Sequence, residues 1–204
     1  MQVLRATAVG AALLVSARIG AQGSGGATPK KHVNASKPVT HVAPAAAATP
    51  AAPAVVDSGT KVNEFMSYDA TAKSISLKLY AAHGSVNGGM NFNGASNGGA
   101  TITVPVGWKV SWMFKNEDAI PHSAIVIANK MPFPAQPQDP AIPRAYTQDV
   151  TAGLPTNGTD QTTFTAAPAG SYVIACGVPG HAPSGMWINF VVSADAKAPT
   201  YTTK

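Results

Sequence analysis

Cys176 is the only cysteine of the chain, and His181 and Met186 follow it at spacing C-x4-H-x4-M. The intervening residues are Gly177, Val178, Pro179, Gly180, Ala182, Pro183, Ser184 and Gly185, so the three side chains share one loop shaped by glycine and proline. A further histidine, His122, follows Pro121 some 54 residues upstream, at the start of an apolar run. A thiolate, two imidazoles and a weak axial thioether form the ligand set of a blue-copper electron-transfer site. The soft sulfur donors favour Cu(I), while imidazole also suits Cu(II), so a site between the two preferences rearranges little when an electron moves. Each residue has a plainer role when taken alone. An isolated cysteine is usually a small buried hydrophobe, Met186 could fill core space, and His181 could cap a loop. Their joint spacing after an apolar strand, with a second Pro-His element, favours copper.

The elements that must position these residues read as strands. Ser74 to Tyr80 alternates, with Ile75, Leu77 and Leu79 on one face and Ser76 and Lys78 on the other. Further β-like runs are Gly89–Asn93, Ala100–Val104, Trp108–Lys115, His122–Ala128, Gln161–Ala166, Gly170–Cys176 and Met186–Ser193. Turn signals such as Asn97-Gly98-Gly99, Asn157-Gly158 and Pro168-Ala169-Gly170 separate them. About eight short strands punctuated in this way predict an all-β fold, a Greek-key sandwich or barrel. The five-proline stretch from Asn129 to Leu154 reads as a long loop with at most a helical turn, and loops of that length are often functional.

Composition agrees with this reading. Of 204 residues, 19 are glycine and 17 proline, and only 11% are charged, which argues against a helical bundle. A single cysteine excludes an internal disulfide framework and any zinc site built from several thiolates. The net charge of +5 divides into +4 before Lys61, −1 from Lys61 to Asp195 and +2 in the last nine residues. The basic excess therefore lies at the ends. The central region has no basic stripe to follow a phosphate backbone, so nucleic acid is not expected as a partner.

The N-terminus reads as an address. Arg5 precedes an apolar run from Ala6 to Ala17, and small residues follow, the layout of a secretory signal peptide over residues 1–21. Cleavage after Ile19-Gly20-Ala21 is expected, with Val15-Ser16-Ala17 second, and an uncleaved membrane anchor is the alternative. The run is shorter than the roughly 18 apolar residues of a spanning helix, and Arg18 ends it. Residues 22–60, rich in Ala, Pro, Gly, Ser and Thr, read as a flexible linker in which His32 and His41 are solvated. A domain over 61–195 and a tail over 196–204 complete the expected organisation.

With these residues in view, the sequence resembles the cupredoxin family, and within it most closely the sulfocyanins. The carrying segments are Met90 to Gly99 (MNFNGASNGG), Val110 to Ser123 (VSWMFKNEDAIPHS) and Cys176 to Trp187. The resemblance spans Ser74 to Ser193. It implies His122, Cys176 and His181 as equatorial copper ligands, Met186 as the axial one, and Asn116 as the residue tying the two ligand loops together. It implies a monomeric type 1 copper protein, not an enzyme, carrying single electrons between redox partners such as respiratory-chain complexes or a terminal oxidase outside the cytoplasm. A copper-buffering or delivery module is the alternative. A multicopper oxidase is disfavoured because no His-x-His pair occurs among the five histidines.

Overall fold

A computed structural model describes residues 59–204. The expected signal peptide (1–21) and linker up to residue 58 lie outside the described residues. Ten strands form two five-stranded sheets. In chain order they are β1 (Thr60–Lys61), β2 (Met66–Asp69), β3 (Ser74–Ala81), β4 (Ala100–Pro105), β5 (Lys109–Asn116), β6 (Ile125–Ala128), β7 (Thr159–Thr165), β8 (Gly170–Ala175), β9 (Trp187–Ser193) and β10 (Thr200–Thr203). One sheet has the order β1-β2-β3-β5-β7, the other β10-β4-β9-β8-β6. The pairs β3–β5 and β4–β9 are parallel and all others antiparallel, so the chain crosses between sheets instead of meandering within one.

The alternation read from the sequence forms the core. Ile75, Leu77 and Leu79 of β3 point inward beside Val110, Trp112 and Phe114 of β5, all essentially inaccessible to water. Phe190 and Val192 of β9, with Ile102 and Val104 of β4, face them from the other sheet. Burying side chains of this size contributes about 1.5–3 kcal/mol each. Trp112 meets Phe164 edge-on at 5.3 Å between ring centroids, and Phe164 meets Phe190 at 6.2 Å, so aromatic contacts link the two sheets.

Four details differ from the sequence reading, each for a physical reason. Residues 196–204 do not hang free, because Thr200–Thr203 pairs with β4 and Tyr201 packs on the core. An edge strand needs no continuous apolar face, so its polar composition concealed it. Strand β2 is likewise too short to show periodicity. Gly89–Asn93 is not a strand. A 3₁₀ turn occupies Val86–Gly89, and Asn87, Asn93 and Gly94 adopt left-handed φ near +51°, +52° and +75°. Asn93 instead uses its side chain as a strand partner, accepting from the Tyr80 N–H at 2.7 Å and donating to the Lys78 carbonyl at 2.9 Å. Finally, β6 starts at Ile125 and not at His122, because His122 leaves the sheet to pair with Leu154.

Candidate metal centre

Three elements converge at one end of the sandwich. Strand β5 ends at Asn116, and the turn after it carries His122. Strand β8 ends at Ala175, directly before Cys176, and β9 begins at Trp187, directly after Met186. The ligand loop is therefore the connection of the β8–β9 hairpin, and its ends are clamped together. The Cys176 N–H donates to the Met186 carbonyl at 3.0 Å, and the Met186 N–H donates to the His181 carbonyl at 3.0 Å.

This convergence brings the predicted donors together. His122 Nδ1 and His181 Nδ1 lie 3.1 Å apart, and Cys176 Sγ lies 3.9 Å from the first and 3.4 Å from the second. Donors about 2.0–2.3 Å from a shared centre in a trigonal plane would be separated by roughly 3.5–3.8 Å. The observed triangle brackets those values. The donor set thus fits one metal ion of the size and softness of copper. His122, Cys176 and Met186 are fully buried, and His181 is the more exposed of the two rings. The Met186 backbone is hydrogen-bonded to those of both Cys176 and His181, which holds this residue beside the cluster.

Burial sets the electrostatics of the cluster. Burial pushes the Cys176 thiol pKa up, opposed by the backbone N–H groups of Ser123 and Val178, which favour the thiolate. The Ser123 N–H lies 3.4 Å from Sγ. The Ser123 hydroxyl is also near, at 3.9 Å, but its proton goes to the Val150 carbonyl at 2.6 Å, so the backbone amide is the effective donor to sulfur. A bound cation would supply the charge that burial withholds and deprotonate the thiol outright. The His181 pKa is pushed down, by burial first and then by the proximity of His122, which keeps its nitrogen available as a donor.

The supporting shell has two parts. The resemblance implies that Asn116 ties the two ligand loops together; its side-chain bonds instead hold the turn that carries His122 to Leu154. Asn116 Nδ2 donates to the carbonyls of Ile120 (2.8 Å) and Leu154 (2.9 Å), and its Oδ1 accepts from the Asp118 N–H (2.9 Å). Leu154 exchanges backbone hydrogen bonds with His122 in both directions, so one asparagine fixes the turn and the partner of its ligand. The second part is the segment around Met90–Gly99, which braces the ligand loop. Asn97 N–H donates to the Gly185 carbonyl, Gly98 N–H to the Trp187 carbonyl, and Asn87 Nδ2 to the Ser184 carbonyl. The long loop over 129–154 contributes as well. Its Ala135 carbonyl accepts from Gly180 N–H at 2.7 Å, and Phe133 packs edge-on against Trp187.

Sequence reasoning missed Ser123 and Asp118. Ser123 is legible only as the residue after Pro-His, and Asp118 only as an acid four residues before a histidine. Asp118 Oδ2 lies 3.0 Å from His122 Nε2, and that hydrogen bond, outweighing partial burial, lowers the aspartate pKa. Ala182, next to His181 in sequence, is buried with Ile125 and Val173. Pro179 and Pro183 are exposed, as are Ile120 and Pro121.

A two-sheet β-sandwich with a His-Cys-His cluster, two of whose members are fully buried, and an adjoining methionine at one end defines a cupredoxin, the class that binds one type 1 copper and transfers electrons. Residues 61–203 match the Sulfocyanin (SoxE) domain, and the chain belongs to that family. It is 30% identical over 139 residues to the sulfocyanin of Sulfolobus acidocaldarius, across 65% of this chain and 70% of that protein. Among solved structures, a rusticyanin variant overlays with a TM-score of 0.50 at 23% identity, covering 67% of this chain and 88% of the other. A reduced auracyanin from Roseiflexus castenholzii overlays with a TM-score of 0.41 at 23% identity, covering 58% and 96%. The rusticyanin likeness concerns the fold alone.

Proposed function

We propose that the chain holds one copper ion between His122 Nδ1, Cys176 Sγ and His181 Nδ1, with the Met186 thioether as a weak axial donor. We further propose that it carries single electrons between redox complexes outside the cytoplasm. The observation that supports this best is the triangle of donors at 3.1–3.9 Å, two of its corners fully buried, assembled from two loops. When bound, copper supplies a one-electron couple. The chain contributes the rest. Buried His122, Cys176 and Met186 keep water from the centre, and the Ser123 N–H on the sulfur tunes the potential. His181, the more exposed of the two rings and flanked in sequence by the exposed Pro179 and Pro183, is the edge through which electrons would enter and leave. A small apolar rim suits brief docking, since transient redox encounters use small interfaces.

The test is visible absorption and EPR of the copper-loaded, oxidised protein. One copper per chain with an intense visible band supports the type 1 reading. A colourless copper protein refutes it and favours buffering or delivery. Export rests on the signal-like residues 1–21. N-terminal sequencing of the mature protein would find Gln22 first if the expected cleavage occurs, and Met1 if the segment stays as an anchor. Among the described residues no helix is long and apolar enough to cross a membrane.

A further inference from the structure

The turn between Asn116 and His122 carries a carboxylate that the electron-transfer reading does not use. Asp118 Oδ2 lies 3.0 Å from Nε2 of His122, whose ring is completely buried, while the carboxylate side chain is 25% exposed. An ionised carboxylate only accepts hydrogen bonds. The proton of a neutral His122 ring is therefore on Nε2, and the lone pair is on Nδ1, the atom facing Cys176 and His181.

The carboxylate is itself placed by the fold. The Asp118 N–H donates to Asn116 Oδ1 at 2.9 Å, and Asp118 Oδ1 accepts from the Ala119 N–H at 2.6 Å, which leaves Oδ2 for the histidine. Gly89, at φ +92°, comes against it from the neighbouring turn. A Cβ at residue 89 would sit 2.8 Å from Oδ2, so only glycine leaves room for the carboxylate there. Glu117, next in sequence, faces away to His83 and Lys115 and does not compete.

We propose that Asp118 is a positioning residue of the copper centre, fixing His122 with Nδ1 toward the metal and, through its negative charge, lowering the reduction potential. The proposal rests on His122 being a ligand. A carboxylate on the outer nitrogen raises the basicity of a metal-bound imidazole, and this favours the more highly charged, oxidised ion. Losing such a partner typically weakens metal affinity 10–100-fold.

The experiment compares Asp118→Asn and Asp118→Ala in the full-length copper-loaded chain by visible absorption, voltammetry at fixed pH, Cu(II) affinity and NMR of the His122 Nε2 proton in the reduced form. Asp118→Asn keeps size and an acceptor oxygen but removes the charge, so the potential should rise while the blue band persists. Asp118→Ala should also raise it, speed exchange of the Nε2 proton and weaken Cu(II) binding about 10–100-fold. Gly89→Ala, which displaces Oδ2 without altering the aspartate, should raise the potential too, and its effect should not add to that of Asp118→Asn. Unchanged potentials in both Asp118 variants, with the wild-type band present, overturn the proposal. Absence of the band from wild-type protein overturns the copper reading and this proposal with it.

Discussion

Asn116→Ala should destabilise the domain by about 2–3 kcal/mol even without metal. The side chain is fully buried and makes three hydrogen bonds, two donated and one accepted. Each is worth roughly 0.5–1.5 kcal/mol net, an upper total of about 4.5 kcal/mol. Two considerations reduce that figure. The Leu154 carbonyl keeps its bond from the His122 N–H, and Ile120 is exposed enough for its carbonyl to find water. For a domain of this size each kcal/mol moves the melting temperature by roughly 3–5 °C, so a fall of about 6–15 °C is expected. Urea titration of the metal-free protein, read as a shifted midpoint at constant slope, measures the loss directly. Asn116→Asp supplies the control. It retains an acceptor for the Asp118 N–H but turns a carboxylate oxygen toward two carbonyls, so it should cost at least as much as alanine. A loss below about 0.5 kcal/mol for Asn116→Ala, or an aspartate variant milder than alanine, would refute the claim that the donated bonds hold the turn.

Cys176→Ser should abolish the intense visible band of the oxidised protein, since a serine oxygen cannot provide the thiolate charge transfer; a surviving band in the absorption spectrum would remove Cys176 from the site. Met186→Leu should retain copper and raise the potential, because losing a weak axial donor disfavours Cu(II) more than Cu(I); voltammetry showing no change would mean that Met186 is not axial. In Gly177→Ala the new Cβ would collide with the Val150 side chain and lie 2.8 Å from its carbonyl oxygen. That overpacking should cost about 1–3 kcal/mol by urea titration and weaken copper binding. Because burial lowers the His181 pKa, the unfolded chain takes up a proton near pH 6.5 before the folded one does. Metal-free stability should therefore fall as pH drops from about 7 through the lowered folded value, as thermal melts would show. The potential of the copper form should stay nearly flat from about pH 7 to 4, because backbone bonds on both sides of His181 oppose its detachment; a voltammetric slope near the one-electron, one-proton value of about 59 mV per unit would refute this.

The donors were legible in the sequence because three of them share one loop, where spacing and proximity are nearly the same thing. The inward face of β3 was legible for a similar reason: alternation from Ser74 to Tyr80 leaves one choice of face. What stayed hidden was set by approach in space. Asp118 and Ser123 are ordinary turn residues until folding brings one against an imidazole and the other against a thiol 53 residues away. The 85–98 segment misled because asparagine side chains there take the place of a β-strand's backbone, and no hydrophobic pattern records that substitution.

The same geometry explains how the chain can impose an intermediate site on its metal. Left free, Cu(I) and Cu(II) prefer different donors and arrangements. Here each donor is held by bonds that do not involve a metal. His122 exchanges hydrogen bonds with Leu154 at 3.2 and 2.7 Å, Cys176 is bonded to Met186, and Met186 to His181. Gly180 is secured to Ala135, while Asn97 and Asn87 hold Gly185 and Ser184 from the other side. Moving a donor to suit one oxidation state would break bonds worth roughly 0.5–1.5 kcal/mol each in a region that water reaches poorly. The ligand frame therefore resists the rearrangement that would slow electron transfer, and the resistance comes from neutral backbone amides whose charge does not change with pH.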